Sequence, residues 1–324
     1  MDRLILAIIV VFGVPAATVL YAFLIERLLS VLPNNVSRNL RPWLWLLPAL
    51  VLLIFFLVYP TINTIVLSFK DAKGINFVGI ENYIYGLTNP AMLTAFRNNL
   101  LWLIFYPTIT LAIALAIAVL ADRVKYEGLV KAVVFIPMAI SFVAAGVIWK
   151  LMYDYSPPIR AQTGVLNAML DFVNPNFTPI PWLNQQPINN FALIFIGIWM
   201  YTGFATVILS AGLKSIPEEL MEAARIDGAG EMDIFRHITL PLLASTLAVV
   251  ATTMIINTLK IFDVIYVMTS GNFNTEVIAV RMYKELFTFQ HIGRASMIST
   301  LLLMLTIPVM LLNIRRFRAQ EDLR

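Results

Sequence analysis

The chain has no cysteine and only two histidines, His237 and His291, among its 324 residues. Without cysteine there can be no disulfide, no thiolate zinc site and no thiol catalysis, and two histidines argue against a histidine-based metal site. Charge is also scarce, because Asp, Glu, Lys and Arg make up 13% of the residues, against about 25% in soluble domains. None of the 14 glycines belongs to a GxxxxGK[ST] pattern, which excludes a phosphate-binding loop of this type.

Apolar side chains are abundant instead, at 60% of the residues and a mean hydropathy of +0.82. A soluble fold could not hide so much apolar surface from water, so the sequence predicts a protein whose solvent is the bilayer. Stretches of about 18–25 residues without charge match the length that crosses a bilayer as a helix. They are residues 4–25, 43–67, 99–121, 132–149, 191–213, 242–259 and 295–314. We expect helices because a lone strand would leave its backbone unpaired in lipid.

Lysine and arginine are distributed unevenly between the connecting segments. One alternating set of connections holds 13 basic residues in 66 positions, and the opposite set holds 8 in 99. The positive-inside rule then predicts a cytoplasmic C-terminus and an N-terminus outside. The net charge of +4 is explained by these basic loops, and no Lys/Arg cluster interleaved with aromatics points to nucleic acid. For residues 1–25 a retained helix is favoured over a cleaved signal peptide, because one arginine precedes the apolar run and no A-x-A site follows it.

Residues 215–241 read SIPEELMEAARIDGAGEMDIFRHITLP and lie between two predicted spans. The spacing resembles the EAA loop of importer-type ABC permeases, and we call this segment the EAA-like loop. The positions that carry the resemblance are Glu222, Ala223, Ala224, Gly228, Ile238, Leu240 and Pro241. In that family the loop forms coupling helices that dock onto a separate ATPase. The resemblance therefore implies that Glu222 anchors an ATPase and that Gly228 makes the turn.

The same segment has a local interpretation that does not depend on the family. Ser215 is predicted to cap a first short helix, and a second is predicted to begin near Glu231 and to end before Pro241. Gly228 and Gly230 provide backbone freedom for a sharp turn, with positive φ available at either. The alternative to docking is an amphipathic hairpin folded onto its own helix bundle.

Five further stretches extend the resemblance to carbohydrate permeases of the maltose and alpha-glucoside type: 43–60, 77–83, 98–100, 134–138 and 268–277. The resemblance covers about residues 43–318 and is strongest, near its end, to alpha-glucoside, trehalose or glucosylglycerol permeases. It implies an all-α integral membrane protein, with the six-helix core of a type I importer and one extra N-terminal transmembrane helix. The implied domains are residues 1–42, the permease domain 43–318 and a cytoplasmic tail 319–324.

The resemblance also implies partners in a bacterial inner membrane. They are two ATPase subunits that hold ATP and Mg²⁺, a second permease subunit that is identical or homologous, and a periplasmic or lipid-anchored solute-binding protein. The loop that precedes the last span reaches toward the binding protein in this family, and its residues here are Gly271, Asn272, Phe273 and Asn274. The chain lacks the large folded periplasmic insertion of the enterobacterial maltose subunit.

Polar residues in the apolar spans indicate a solute path. The predicted path comprises Thr253, Asn257 and Lys260, which fall on one face of a helix, with Tyr201 and Thr202 from the preceding span. A lysine costs ~2.5–3.5 kcal/mol at the centre of a span, so it should face a carboxylate or a wet cavity. Pairing of Lys260 with Asp263 is an equally good explanation.

These observations predict the permease subunit of an ATP-driven carbohydrate importer, with no enzymatic activity on this chain. A permease for another polar solute, such as glycerol-3-phosphate, is the first alternative. A membrane-embedded enzyme is a weak one, because Asp263 has no carboxylate neighbour in its span and neither histidine lies in the middle of a span. A passive channel or scaffold is the third.

Overall fold

The computed structural model describes residues 2–122, 124–174 and 176–321. These residues contain no strand beyond a single antiparallel bridge between Lys70 and Phe77. The backbone divides into two units, Met1–Thr64 and Ile65–Arg324. The domain boundaries placed from the sequence at residues 42/43 and 318/319 stay predictions, and residues 322–324 of the tail lie outside the described residues.

The first unit is built from helices α1 (Asp2–Val31) and α2 (Asn34–Leu53), a π-helical turn at Ile54–Val58, and the start of α3 (Tyr59–Leu67). Glu26 joins α1 to α2, because its carboxylate accepts from Arg41 at 2.9 Å and from the indole nitrogen of Trp45 at 3.1 Å. Both partners of the ion pair are about half exposed, so its contribution to stability is modest.

The second unit contains twelve further helices among the described residues. They are α4 (Glu81–Thr88), α5 (Pro90–Ala121), α6 (Glu127–Phe135), α7 (Phe142–Met152), α8 (Val165–Val173), α9 (Ile188–Lys214), α10 (Glu218–Ile226), α11 (Glu231–Ile234), α12 (Leu240–Leu259), α13 (Asp263–Thr269), α14 (Ile278–Tyr283) and α15 (Ile292–Glu321). Asn89 shows how local sequence sets a boundary. Its side chain accepts from the backbone N–H groups of Ala91 and Met92, and Pro90 occupies the first helical position, where no N–H is needed.

The number of predicted spans agrees with the structure. Six helical stretches in the described residues are long and apolar enough to cross a membrane, and a bent helix pair makes a seventh if it counts as one span. The stretches are Val11–Val31, Asn34–Leu67, Pro90–Ala121, Ile188–Lys214, Glu231–Leu259 and Ile292–Leu312, with the bent pair Glu127–Ala139 and Phe142–Met152. The all-α membrane fold is confirmed.

The span predicted as one helix over residues 132–149 is broken, because the chain bends by 98° between the two halves of this pair. Pro137 lies in a 3-10 turn and has no N–H to continue an α-helix. Ile140 is extended, and the Ser141 hydroxyl accepts from the N–H of Ala144 at 3.2 Å to start α7. A proline stop followed by a serine cap therefore breaks the span.

Helix α9 is the most buried span of the described chain. It packs along α5 and also against α6 and α12. Small residues allow the close approach: an added Cβ at Gly197 would lie 3.0 Å from the indole of Trp102, and one at Gly203 would lie 2.2 Å from the carbonyl oxygen of Val134. This use of glycine is typical of helix contacts in membranes.

Candidate functional site

The EAA-like loop begins where α9 ends. Ser215 was predicted to cap the next helix, but its hydroxyl donates instead to the carbonyl of Gly212 at 2.7 Å and so closes α9. The residue at the cap position of α10 is Pro217, whose φ of −58° and ψ of 128° lead the chain into the helix without a side-chain acceptor. Glu218 and Glu219 occupy the first turn of α10, where the helix dipole favours carboxylates.

The turn after α10 has the conformation that the sequence predicts for glycine. Gly228 has a φ of +86°, whereas Gly230 has a φ of −75° and precedes α11 in extended conformation. The N–H of Gly228 donates to the carbonyl of Arg225, and that of Ala229 donates to Ala224. A Cβ at Gly228 would meet nothing within 4 Å, so the backbone angle and not space is the reason for glycine here.

The second short helix was predicted to end before Pro241, but it continues past this residue. Helix α11 runs through a π-helical turn at Phe235–Thr239 directly into α12, and the whole stretch Glu231–Leu259 is one span. The π-turn accommodates the proline, because the N–H of Leu240 bonds to the carbonyl of Phe235 five residues back. Of the predicted coupling residues here, Ile238 is half-buried while Leu240 and Pro241 are exposed.

The EAA-like loop leaves acidic and apolar side chains without a partner in the described chain. Glu222 is exposed and makes no hydrogen bond or ion pair with a described residue. Ala223 beside it is exposed and Ala224 is half-buried. Ile226 and Met232 are 86% and 59% exposed. Such a surface can receive both a basic group and apolar side chains from another protein.

An ion cluster that the sequence did not reveal ties this region to the bent span. Glu127, the first residue of α6, pairs with Lys131 and with Lys214 at the end of α9, the latter at 2.8 Å. The hydroxyl of Ser210 donates to the same carboxylate at 3.4 Å. The cluster fixes the start of α6 beside the end of α9, and therefore beside the EAA-like loop.

The predicted solute path coincides in part with a cavity of about 260 Å³, which we call the polar-aromatic cavity. Its lining residues are Tyr106, Phe142, Gly197, Tyr201, Asn257, Lys260, Ile261, Phe262, Asp263 and Val264. Three predicted residues, Asn257, Lys260 and Tyr201, thus come together. Thr202 and Thr253 do not line the cavity, and their hydroxyls donate within their own helices, to the carbonyls of Ile198 and Val249.

A break between α12 and α13 gives the cavity its charged wall. Lys260 was predicted to continue the helical face of Asn257, but α12 ends at Leu259 and Lys260 has a φ of −106° and a ψ of 18°. Asp263 begins α13 after the break. Among the described residues no ion pair joins Lys260 to Asp263, and both side chains are exposed. Both residues line the cavity.

Aromatic rings form another part of the lining. Tyr201 stacks on Phe142 with ring centroids 5.7 Å apart and meets the edge of Tyr106 at 6.1 Å. Phe262 stacks on Tyr266 at 5.0 Å. Of the aromatic lining only Tyr201 was predicted, because aromatic residues are so frequent in this chain that position alone carries no signal.

The loop at residues 270–277 projects polar and aromatic groups from a buried base. Asn272, Phe273 and Asn274 are exposed, Phe273 by 52%, whereas the fourth predicted contact residue, Gly271, is buried. The base contains Thr275, which is fully buried. This loop is therefore shaped to present three of the four predicted residues.

Charged residues support the chain that follows this loop. Arg281 pairs with Glu285 at 2.5 Å and donates to the hydroxyl of Tyr85 on α4, and Lys284 lies 2.9 Å from Glu276. Both carboxylates are buried, so the pairing satisfies charges that could not stay alone there. Local sequence patterns do not reveal this network, because it joins Tyr85 to Glu285, 200 positions away.

Comparison with known proteins places these features in one family. Residues 109–321 match the family described as binding-protein-dependent transport system inner membrane component. The chain is 52% identical over 281 residues to the osmoprotective compounds uptake permease protein GgtC of Synechocystis sp., across 87% of this chain and 100% of GgtC. It is 42% identical over 282 residues to the alpha-glucoside transport system permease protein AglF of Rhizobium meliloti, across 87% of this chain and 83% of AglF.

Solved structures agree on the fold. A chain of a bacterial ABC transporter involved in the import of the acidic polysaccharide alginate superposes with a TM-score of 0.75 at 22% identity, over 88% of this chain and 97% of the other. A chain of bacterial alginate ABC transporter in complex with alginate pentasaccharide-bound periplasmic protein gives 0.72 at 24% identity, over 86% and 94%. At these identities the likeness concerns the fold alone.

Proposed function

The chain belongs to the family of binding-protein-dependent transport system inner membrane components, and from this premise we propose that it passes a neutral glucoside across the membrane. It is a multi-pass permease component of an ABC importer and not an enzyme. The proposed solutes are an alpha-glucoside, trehalose, maltose or glucosylglycerol. The relatives named for alpha-glucosides and for osmoprotective compounds support this class.

The observation that carries the proposal is the composition of the polar-aromatic cavity. A sugar ring has apolar C–H faces and hydroxyl edges, so it needs aromatic surface and hydrogen-bonding groups side by side. Tyr201 and Phe142 supply the first, and the amide of Asn257 supplies donors and an acceptor. The volume of about 260 Å³ is slightly below the range of ligand pockets, which span about 300–1,000 Å³. In this conformation the cavity would hold one ring of a larger solute.

The charges of the cavity favour a neutral solute over glycerol-3-phosphate. Lys260 and Asp263 line the same space with opposite signs, so this pair gives the cavity no net charge. A phosphate would meet the carboxylate of Asp263 as well as the ammonium, and like charges at close range are unfavourable. Hydroxyl groups, in contrast, can donate to Asp263 and accept from Lys260.

ATP hydrolysis is assigned to a separate partner that docks on the EAA-like loop. The carboxylate of Glu222, which has no partner among the described residues, and the exposed side chains of Ile226 and Met232 support this assignment. The proposed assembly has two ATPase subunits with ATP and Mg²⁺, a second permease subunit and an external binding protein. Movement of the docked ATPases shifts the EAA-like loop and, through the ion cluster of Glu127, the bent span, so that the bundles alternate between inward-open and outward-open.

Replacement of Asn257 by leucine tests the solute path. Loss of one hydrogen bond to a sugar is worth about 0.5–1.5 kcal/mol, which corresponds to about two- to tenfold slower uptake at limiting solute. Stimulation of ATP hydrolysis by the binding protein should persist, because Asn257 lies near the end of the span Glu231–Leu259 that is opposite the EAA-like loop. The measurement is uptake of labelled glucoside beside ATPase activity in proteoliposomes.

Thr253→Val is the matched control for this experiment. Thr253 lies one turn before Asn257 on α12, but its hydroxyl bonds to the carbonyl of Val249 and does not line the cavity. We expect normal uptake from this variant. Normal uptake by Asn257→Leu at normal expression would instead place the solute elsewhere, and Tyr201 would be the next residue to replace.

The proposed orientation has the N-terminus outside and the C-terminus in the cytoplasm. Single cysteines replacing Asp2 or Asp322 test it without background, because the chain has no native cysteine. An impermeant maleimide should label intact cells only when the cysteine is at position 2. Labelling only at position 322 would reverse the orientation that the basic residues predict.

A further inference from the structure

The backbone of the loop at residues 270–277 is in an unusual conformation. Four of its first five residues have positive φ: Ser270 at 53°, Gly271 at 73°, Phe273 at 56° and Asn274 at 60°. Residues other than glycine adopt such angles rarely. A loop of this kind persists only where its surroundings determine it from several directions.

Side-chain amides of two helices hold the loop in this conformation. We call Asn98 and Asn99 of α5 together with Asn189 and Asn190 of α9 the amide cluster; all four are buried. Asn98 donates through Nδ2 to the carbonyls of Asn274 at 2.7 Å and Glu276 at 2.8 Å. Asn189 donates to the carbonyl of Phe273 at 2.8 Å, and Asn190 donates to that of Asn274 at 3.5 Å. Three carbonyls of the loop, at positions 273, 274 and 276, therefore accept hydrogen bonds from the amide cluster.

Asn99 extends the same arrangement to the wall of the polar-aromatic cavity. Its Oδ1 accepts from the N–H of Ile278, at the end of the loop, at 2.8 Å. Its Nδ2 donates to the carbonyl of Thr258 at 3.3 Å. Thr258 lies at the end of α12, two residues before Lys260, where the helix breaks. One buried side chain therefore contacts both the loop and the segment that carries the cavity lysine.

Hydrogen bonds hold the base of the loop, whereas the tip of the loop is exposed. The hydroxyls of Thr269 and Thr275 lie 2.6 Å apart, and Thr275 donates to the carbonyl of Asn272 at 2.7 Å. Phe273 nevertheless projects with half of its surface exposed. Because hydrogen bonds already fix the backbone, an exposed aromatic side chain here can contact a partner without the free-energy cost of ordering the loop.

We propose that Asn98, Asn99 and Asn189 are positioning residues, which hold the loop in the form that contacts the binding protein and tie it to the end of α12. The inference rests on the proposed function, which includes an external binding protein, and on the resemblance, which directs this loop toward it. Asparagine suits the role because one amide donates two hydrogen bonds and accepts others at the same time. Satisfied buried networks rigidify the structure around them, and in the described part of the chain only Asn190 Oδ1 of the amide cluster lacks a partner. A binding protein that moves the loop would thereby also displace the Thr258–Lys260 segment.

The test is Asn98→Asp in the complete importer reconstituted in lipid nanodiscs. Aspartate has the same shape but no donor for the carbonyls of Asn274 and Glu276 when it is ionised. A spin label on a cysteine that replaces Asn272 reports the mobility of the loop, and the absence of native cysteine makes the label specific. We expect a more mobile spectrum. We also expect an about tenfold higher half-saturating concentration of binding protein, equivalent to about 1.4 kcal/mol, with less change in the maximal stimulated ATPase rate.

Asn167→Asp is the matched control. Asn167 is equally buried, and its Nδ2 donates to two carbonyls, those of Asp154 and Ile180. These residues lie in the segment between α7 and α9. The label at position 272 should not respond to it. Asn189→Ala is the second variant, because it removes a single bond to Phe273 and adds no charge, so it serves if Asn98→Asp fails to assemble.

An unchanged label spectrum in Asn98→Asp or Asn189→Ala would overturn the proposal. An equal response to Asn167→Asp would also overturn it, because the effect would then be a general loosening. The spectrum does not depend on any solute. If the wild-type importer transported no glucoside, the proposed function would be contradicted. The conclusion about the amide cluster would still be valid.

Discussion

Glu222→Ala is expected to weaken association with the ATPase by about 2–5 kcal/mol, that is by about thirtyfold to several thousandfold. In the described chain Glu222 is exposed and unpaired. Nearby Arg225, in contrast, pairs with Glu231 across the turn at 3.0 Å. A carboxylate left free in this position can meet a basic group of the partner, and its loss would leave that group unpaired. Transport should be abolished while the permease still inserts into the membrane.

Co-purification of the ATPase with tagged permease, followed by an uptake assay, measures this effect. Asp227→Ala is the matched control, because Asp227 is an exposed carboxylate directly after the C-terminal end of α10. A surface change of that kind is expected to cost within about 0.5 kcal/mol. Full co-purification and wild-type uptake by Glu222→Ala would show that the docking contact lies elsewhere on the EAA-like loop.

Gly203→Ala should destabilise the packing of α9 against α6. The new Cβ would lie 2.2 Å from the carbonyl oxygen of Val134 and 2.6 Å from the Cα of Phe135. Both are backbone atoms, so the strain can be relieved only if α6 moves. Overpacking costs typically about 1–3 kcal/mol, and we expect the upper end of this range. The measurement is thermal unfolding of the purified permease in detergent.

Gly128→Ala makes the same change where space is open. A Cβ at Gly128 would meet nothing within 4 Å on α6, and alanine is the better helix former by about 1 kcal/mol. This variant should be as stable as the wild type or slightly more stable. Equal thermal midpoints for Gly203→Ala and Gly128→Ala would refute the close contact of α9 with α6.

The sequence predicted the spans and the EAA-like loop because their signals are long or regular. Apolar stretches that cross a bilayer need about 20 residues, and a window of that length finds them. The same window averages over the features that the sequence analysis missed. It does not register the stop at Pro137 and Ser141, the π-turn that carries α11 through Pro241, or the break after Leu259.

Some residues of the candidate site could likewise be predicted from the sequence, and others could not. Asn257 and Lys260 were predicted because polar groups in spans are costly and therefore conspicuous. Phe142 and Phe262 could not be predicted, because the chain has 21 phenylalanines and only packing selects these two. Asn98 contributed to the resemblance, but its role depends on contacts with carbonyls 176 and 178 positions away. Such pairings follow from the fold and not from local pattern.

Accumulation of a radiolabelled glucoside by proteoliposomes that contain the complete importer is the most direct test of the central claim. We expect maltose, trehalose or glucosylglycerol to accumulate against its gradient only when the binding protein is outside and ATP is on the ATPase side. Equilibration of the glucoside without ATP would indicate a channel. Accumulation of glycerol-3-phosphate with no movement of any neutral glucoside would contradict the assignment of the polar-aromatic cavity to a sugar.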